Sequence, residues 1–126
     1  MAAITTLTKF SNVAENNSLS GQGVLAYTQP FASTSALVLR DAYIQHVCYA
    51  QLTGTMTINA NVTALATEQF SRVVFHLSSD GTARAVTFGT GFVATATITP
   101  AINKDARIEF EFDGTALREV SRWIGA

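Results

Sequence analysis

The chain has 126 residues, 48% of them hydrophobic and only 13% charged, with 8 Lys+Arg against 9 Asp+Glu for a net charge of −1. That length suits one domain with its own core and is too short for a (β/α)8 barrel or a two-domain enzyme. Charge at half the usual ~25%, with no basic excess, excludes an electrostatic nucleic-acid binder and a basic membrane-surface module, and 8 Phe, 3 Tyr and 1 Trp exclude a disordered chain.

Residues 1–35 are expected to form an N-terminal arm or loop-rich segment. They hold only Lys9 and Glu15 as charges, and Ser, Asn, Gln, Gly, Ala and Thr dominate. Short extended pieces are possible at Ile4–Lys9 and Val24–Tyr27. Phe10, Leu25, Tyr27 and Phe31 are more apolar surface than a plain linker needs. Met1–Lys9 lacks the basic and then apolar regions of a signal peptide. The single cysteine, Cys48, has no internal disulfide partner, so synthesis in a reducing cytoplasm is expected.

Residues 36–126 read as one β domain. Strands are expected at Ala36–Leu39, Tyr43–Leu52, Thr55–Asn59, Arg72–Leu77, Arg84–Phe88, Val93–Thr99, Arg107–Phe112 and Leu117–Trp123, because β-branched and aromatic residues recur there with period two or in short runs. Arg72–Leu77 is apolar on both faces and reads as a central strand. Ile108, Phe110 and Phe112 share one face, and Arg107, Glu109 and Glu111 the other. Gly89-Thr90-Gly91 marks a bend or bulge. Residues 59–70 are the one place for a short helical turn. Asp80-Gly81 and Asp113-Gly114 supply the positive φ of tight hairpin turns. Both open the string Asp-Gly-Thr-Ala, but nothing else aligns between the halves, so a reused turn is preferred to a repeat. About eight short strands imply an all-β fold, an antiparallel β-sandwich or jelly roll.

Chemistry-bearing sets are sparse. His46 and Cys48 share a strand face, and His76 lies on another strand. These three make a Cys–His nucleophile or a metal site only if the two strands are neighbours; otherwise they are a packed thiol and two ordinary histidines. Glu109 and Glu111 are either a solvated face or partners of Arg107, Arg118 or Arg122 across the hairpin. Gly89-Thr90-Gly91-Phe92 lacks the lysine and following helix of a phosphate cradle. No enzyme, cofactor or metal is expected.

Association is what remains. No Asp, Glu, Lys or Arg lies between Asp41 and Glu68, or between Arg84 and Lys104. Interface cores are poor in charge and rich in aromatics. Uncharged strands therefore suggest a face covered by another subunit, whereas the charged C-terminal hairpin suits water. The candidate subunit or capsid contacts are Phe10, Leu25, Tyr27, Phe31, Tyr43, Tyr49, Met56 and Ile58.

The run Leu52-Thr53-Gly54-Thr55-Met56-Thr57-Ile58-Asn59-Ala60, then Arg72-Val73-Val74-Phe75, Asp80 to Phe92, Phe110 to Ala116 and Glu119-Val120-Ser121-Arg122, resembles small β-rich structural proteins of tailed bacteriophages. These are capsid decoration (cement) proteins and modules of tail fibres. The resemblance covers roughly residues 50–123 and rests on strands and turns. It implies a trimeric β-sandwich or jelly-roll subunit without enzymatic activity. Its expected location is the virion, on the capsid surface, with assembly in the host cytoplasm; its partners are a homotrimer of itself and the major capsid protein. The N-terminal arm then orders on binding. A tail-fibre or baseplate module that binds a host receptor or glycan is the alternative, and a stand-alone carbohydrate-binding sandwich, with Trp123, Tyr27, Tyr43 and Tyr49 as platform candidates, is a third. The chain departs from the family at Leu117-Arg118, where related modules carry an aromatic, and Trp123 is expected to take over that packing role.

Overall fold

A computed structural model of the chain describes residues 23–40, 42–65 and 70–125. The fold is strand-rich and built from two sheets. The strands are β1 (Val24–Gln29), β2 (Thr34–Val38), β3 (Ile44–Tyr49), β4 (Met56–Asn61), β5 (Arg72–Ser78), β6 (Val86–Phe88), β7 (Phe92–Val93), β8 (Asp105–Phe112) and β9 (Leu117–Ile124). Among the described residues the helical turn expected within 59–70 is the 3-10 turn Thr63–Leu65.

Six strands form one sheet in the order β1-β3-β5-β8-β9-β7, and three form the other in the order β2-β4-β6. β5 lies between β3 and β8, hydrogen-bonded along both edges, and so is a central strand. The pairing is mixed rather than antiparallel throughout. β1 with β3, β3 with β5, β2 with β4, and β4 with β6 are all parallel. From β1 to β6 the chain therefore winds, stepping from the large sheet to the small one and back, and each new strand is laid beside its predecessor of two strands earlier; β7 instead pairs parallel with β9. Val24 aligns with Ile44 and Ile44 with Arg72, steps of unequal length. That inequality is why the winding leaves no fixed period in the sequence. β8 then returns antiparallel along β5 from a distance in sequence as great as the earlier windings, and only β9, antiparallel along β8, is a local hairpin.

β1 and the start of β2 fall within residues 24–35, so the pairing draws this stretch into the sheets. Phe10, and the arm before Gly23, lie outside the described residues.

The two inner faces close on one core. Alternation along β8 buries Ala106, Ile108, Phe110 and Phe112, and alternation along β4 buries Met56, Ile58 and Ala60. Phe75 of the large sheet meets Phe88 of the small one at 5.2 Å between ring centroids, and Phe110 meets Phe88 at 4.9 Å. Phe92 closes the cluster 4.8 Å from Phe110. Tilted and edge-on contacts of this kind add roughly 0.5–1.5 kcal/mol per pair beyond burial. Leu117 fills the core end of β9, whereas Trp123 stands on the surface, 54% exposed, and so does not take the packing role expected of it.

The two Asp-Gly turns differ. Asp113-Gly114 joins β8 to β9 as a hairpin; Gly114 has φ +98°, and the Asp113 carboxylate accepts the Thr115 and Ala116 N–H groups. Asp80-Gly81 connects two different sheets instead. There the Asp80 carboxylate accepts from the Thr82 N–H and holds the Arg84 guanidinium through both oxygens at 2.8 and 3.0 Å, so side-chain bonds, not a positive φ at Gly81, shape the turn.

The alternating stretch Val93–Thr99 forms a strand only at its start. Beyond that start, Ile98 exchanges backbone bonds with Val86 of β6, and side chains of β9 satisfy much of the rest. Glu119 accepts the Thr95 N–H at 2.8 Å, and Arg122 donates to the Ala96 and Thr97 carbonyls at 2.8 and 3.2 Å. Arg122 and Glu119 bind each other at 2.7 Å.

Candidate functional site

The outward faces of the two sheets differ in chemistry. On the small sheet, Thr34, Thr57 and Thr87 align across β2, β4 and β6, followed by Ala36 beside Asn59 and Val38 beside Asn61. None of the three strands carries an ionisable side chain. Val38 is 68% exposed. A groove of about 770 Å³ runs along this face, lined by Ala36, Val38, Asn59, Asn61, Thr90 and Thr115 among others. The Gly89-Thr90-Gly91 bend closes one side of it. Gly91 has φ +91°, and a Cβ there would meet the Ala60 carbonyl oxygen at 2.6 Å, so only glycine lets the bend approach β4. The Thr90 N–H donates to Asn59 Oδ1 at 2.8 Å.

The large sheet faces outward with charge. Glu109 and Glu111 on β8 both reach Arg72 on β5, at 2.5 and 3.2 Å. Their partner is thus not one of Arg107, Arg118 or Arg122. Arg118 pairs with Asp113, and Arg122 with Glu119. The reason is register: Arg72 sits opposite Glu111 and diagonal to Glu109, within reach of a forked guanidinium.

The strands of His46, Cys48 and His76 are indeed neighbours, with Cys48 directly opposite His76. The hydrogen bond that forms, however, joins His46 Nδ1 to His76 Nε2 at 3.0 Å. Partial burial, then the neighbouring His46, then Arg107 hold the His76 pKa below the usual 6.5. No hydrogen bond joins Cys48 to either imidazole among the described residues, and no group of three metal-ligating side chains is found there. Among the described residues these side chains form an imidazole–imidazole pair, not a Cys–His pair or a three-ligand site.

Of the eight sequence-expected contact residues, the seven within the described residues separate by burial. Met56 and Ile58 have no exposed surface and Tyr49 almost none, so these three are core residues and not contact residues; the inward side of the strand pleat places them there. Tyr49 also bonds Ser35 across the sheets at 2.8 Å. Tyr27 is half-buried, its hydroxyl donating to Gln45 and its ring covered by Arg40 at 4.6 Å. Phe31 packs on the core edge against Gly54. Leu25 is half-buried, and Tyr43 is exposed. The surface residues that sequence reasoning missed are small uncharged ones, Thr34, Ala36, Val38, Asn59 and Asn61. The absence of charge marked their segments, but only the pleat tells which half of each strand faces out.

No protein-family model matches the chain, and no curated protein matches it in sequence.

Proposed function

We propose that this chain is a non-enzymatic structural subunit of a tailed-bacteriophage virion, a capsid decoration (cement) protein. In this reading it assembles as a homotrimer and seats on the major capsid protein to stabilise the head. The two sheets over one core suit the sandwich-type subunit that the resemblance implies. The observation that carries the reading is the uncharged, grooved outer face of β2-β4-β6, set opposite a sheet that carries charge. A face without ionisable groups desolvates at little cost when another protein covers it, whereas each unpaired charge carried into an interface costs several kcal/mol.

The test is assembly. The purified protein is expected to run as a trimer in native mass spectrometry, and Val38→Glu or Ala36→Arg, both at exposed positions, to yield monomer with an unchanged fold by circular dichroism. The wild-type protein is expected to co-sediment with heads of its own phage, and the same variants to lose that binding. A clean monomer at micromolar concentration that also ignores the heads refutes the proposal.

A further inference from the structure

A second surface lies on the other sheet. Trp123 on β9 is the register partner of Arg107 on β8, and both side chains stand on the outward face. Hollows of about 340 and 190 Å³ lie there, and Trp123 and Arg107 line both. His76, Ser78 and Asp105 line the first hollow, and Glu109 the second. The indole is therefore a wall between two polar depressions.

The polar groups here are not consumed by one another. Arg72, Arg84, Arg118 and Arg122 each hold a carboxylate, but Arg107 has none among the described residues. Asp105 accepts the Ser78 hydroxyl through Oδ1 only, and Glu109 meets Arg72 through Oε2 only. Each carboxylate thus keeps an oxygen without a partner among the described residues. An exposed indole, one guanidinium with free donors and two carboxylates with free acceptors converge on a single patch.

That combination selects a ligand class. An anion such as phosphate wants donors alone, and Asp105 and Glu109 oppose it. A cation is opposed by Arg107. A purely apolar ligand would strand the polar groups. A neutral pyranose offers an apolar C–H face for the indole and vicinal hydroxyls that both donate and accept, as planar carboxylate and guanidinium groups require. We propose that the outward face of β8 and β9 is a binding site for a neutral glycan, with Trp123 as the stacking platform and Arg107, Asp105 and Glu109 as the hydroxyl partners. The site stands apart from the β2-β4-β6 face and does not depend on the assembly proposed above.

Trp123 is the only tryptophan of the chain, so its fluorescence reports this patch alone. The full-length protein is titrated with cellobiose, lactose, mannobiose and chitobiose, and with a glucuronic-acid disaccharide and inorganic phosphate as charged comparisons. The expected result is a saturable emission change with at least one neutral disaccharide that survives ~1 M salt, because no ion pair to the ligand is involved. By calorimetry, Trp123→Ala and Arg107→Ala are each expected to weaken that sugar by about tenfold or more, with the circular dichroism spectrum unchanged. No saturable response to any neutral disaccharide at ~20 mM, where even a millimolar site fills, overturns the proposal. So does a response confined to the charged compounds, or undiminished sugar binding by Trp123→Ala.

Discussion

Gly91 carries the sharpest stability prediction. Its φ of +91° lies where a side chain is strained, and the Cβ of Gly91→Ala would sit 2.6 Å from the Ala60 carbonyl oxygen, a backbone atom that cannot swing aside. The strain costs roughly 1–2 kcal/mol and the overlap roughly 1–3 kcal/mol. Relief by moving the bend would stretch two backbone bonds, Ala60 N–H to the Thr90 carbonyl at 2.8 Å and Leu117 N–H to the Gly91 carbonyl at 2.9 Å. A loss of about 3 kcal/mol is expected, which in a chain of this size lowers Tm by roughly 10–15 °C. Differential scanning calorimetry measures it. Gly81→Ala is the internal comparison, because a Cβ there meets nothing within 4 Å and φ is not positive; it should stay within about 0.5 kcal/mol of wild type. A Gly91→Ala loss below ~1 kcal/mol would refute the reasoning.

Other outcomes follow from the same geometry. Phe110→Ala empties the centre of the ring cluster that includes Phe75, Phe88 and Phe92, and should cost about 3–5 kcal/mol in urea unfolding. The Arg122 guanidinium, aided by the Thr95 N–H, holds the Glu119 carboxyl at about 2, against an ordinary 4.5. A lowered acid pKa gives stability that is full above pH ~4.5 and lost as pH falls toward 2; the ideal upper value near 3 kcal/mol shrinks to about 1–2 kcal/mol once solvent screening is allowed for. Glu119→Gln should flatten the stability profile between pH 2 and 5, and an unaltered slope would remove Glu119 as its source. For His76 the lowered pKa means that the folded state resists protonation, so stability declines as pH falls below 6.5. Its NMR titration midpoint should lie below 6.5 and rise in His46→Gln; a wild-type midpoint at or above 6.5 contradicts the assigned environment.

Strand positions were legible wherever burial follows the pleat. The alternation of Arg107–Phe112 and the doubly apolar Arg72–Leu77 both carry over to β8 and β5, because period two is a direct consequence of strand geometry. The direction of pairing was not legible. A strand of the β3 type shows the same local pattern whether its neighbour runs with it or against it, and the unequal steps between windings hide the parallel order. Val93–Thr99 failed for a different reason. It alternates like a strand, but apart from a single bridge of Ile98 to Val86 its backbone groups bond the side chains of Glu119 and Arg122, and such a substitution depends on residues 20 or more positions away. At the candidate sites, charge depletion marked the segments that form the β2-β4-β6 face but not which of their residues point outward. Burial then placed Tyr49, Met56 and Ile58 in the core and left Trp123, one of the four platform candidates, exposed.

The parallel winding also bears on how the chain reaches its native state. Each pairing of β1 with β3, or β3 with β5, must close a long loop before any ladder bond forms, whereas β8 and β9 are joined by a tight hairpin. Contacts between distant residues slow folding through the entropy of loop closure. On the ribosome the slow windings emerge first and the fast hairpin last. β5 therefore waits with one edge unpaired until β8 is synthesised, and arrival of the C-terminal hairpin is the step that covers this edge against pairing with other nascent chains.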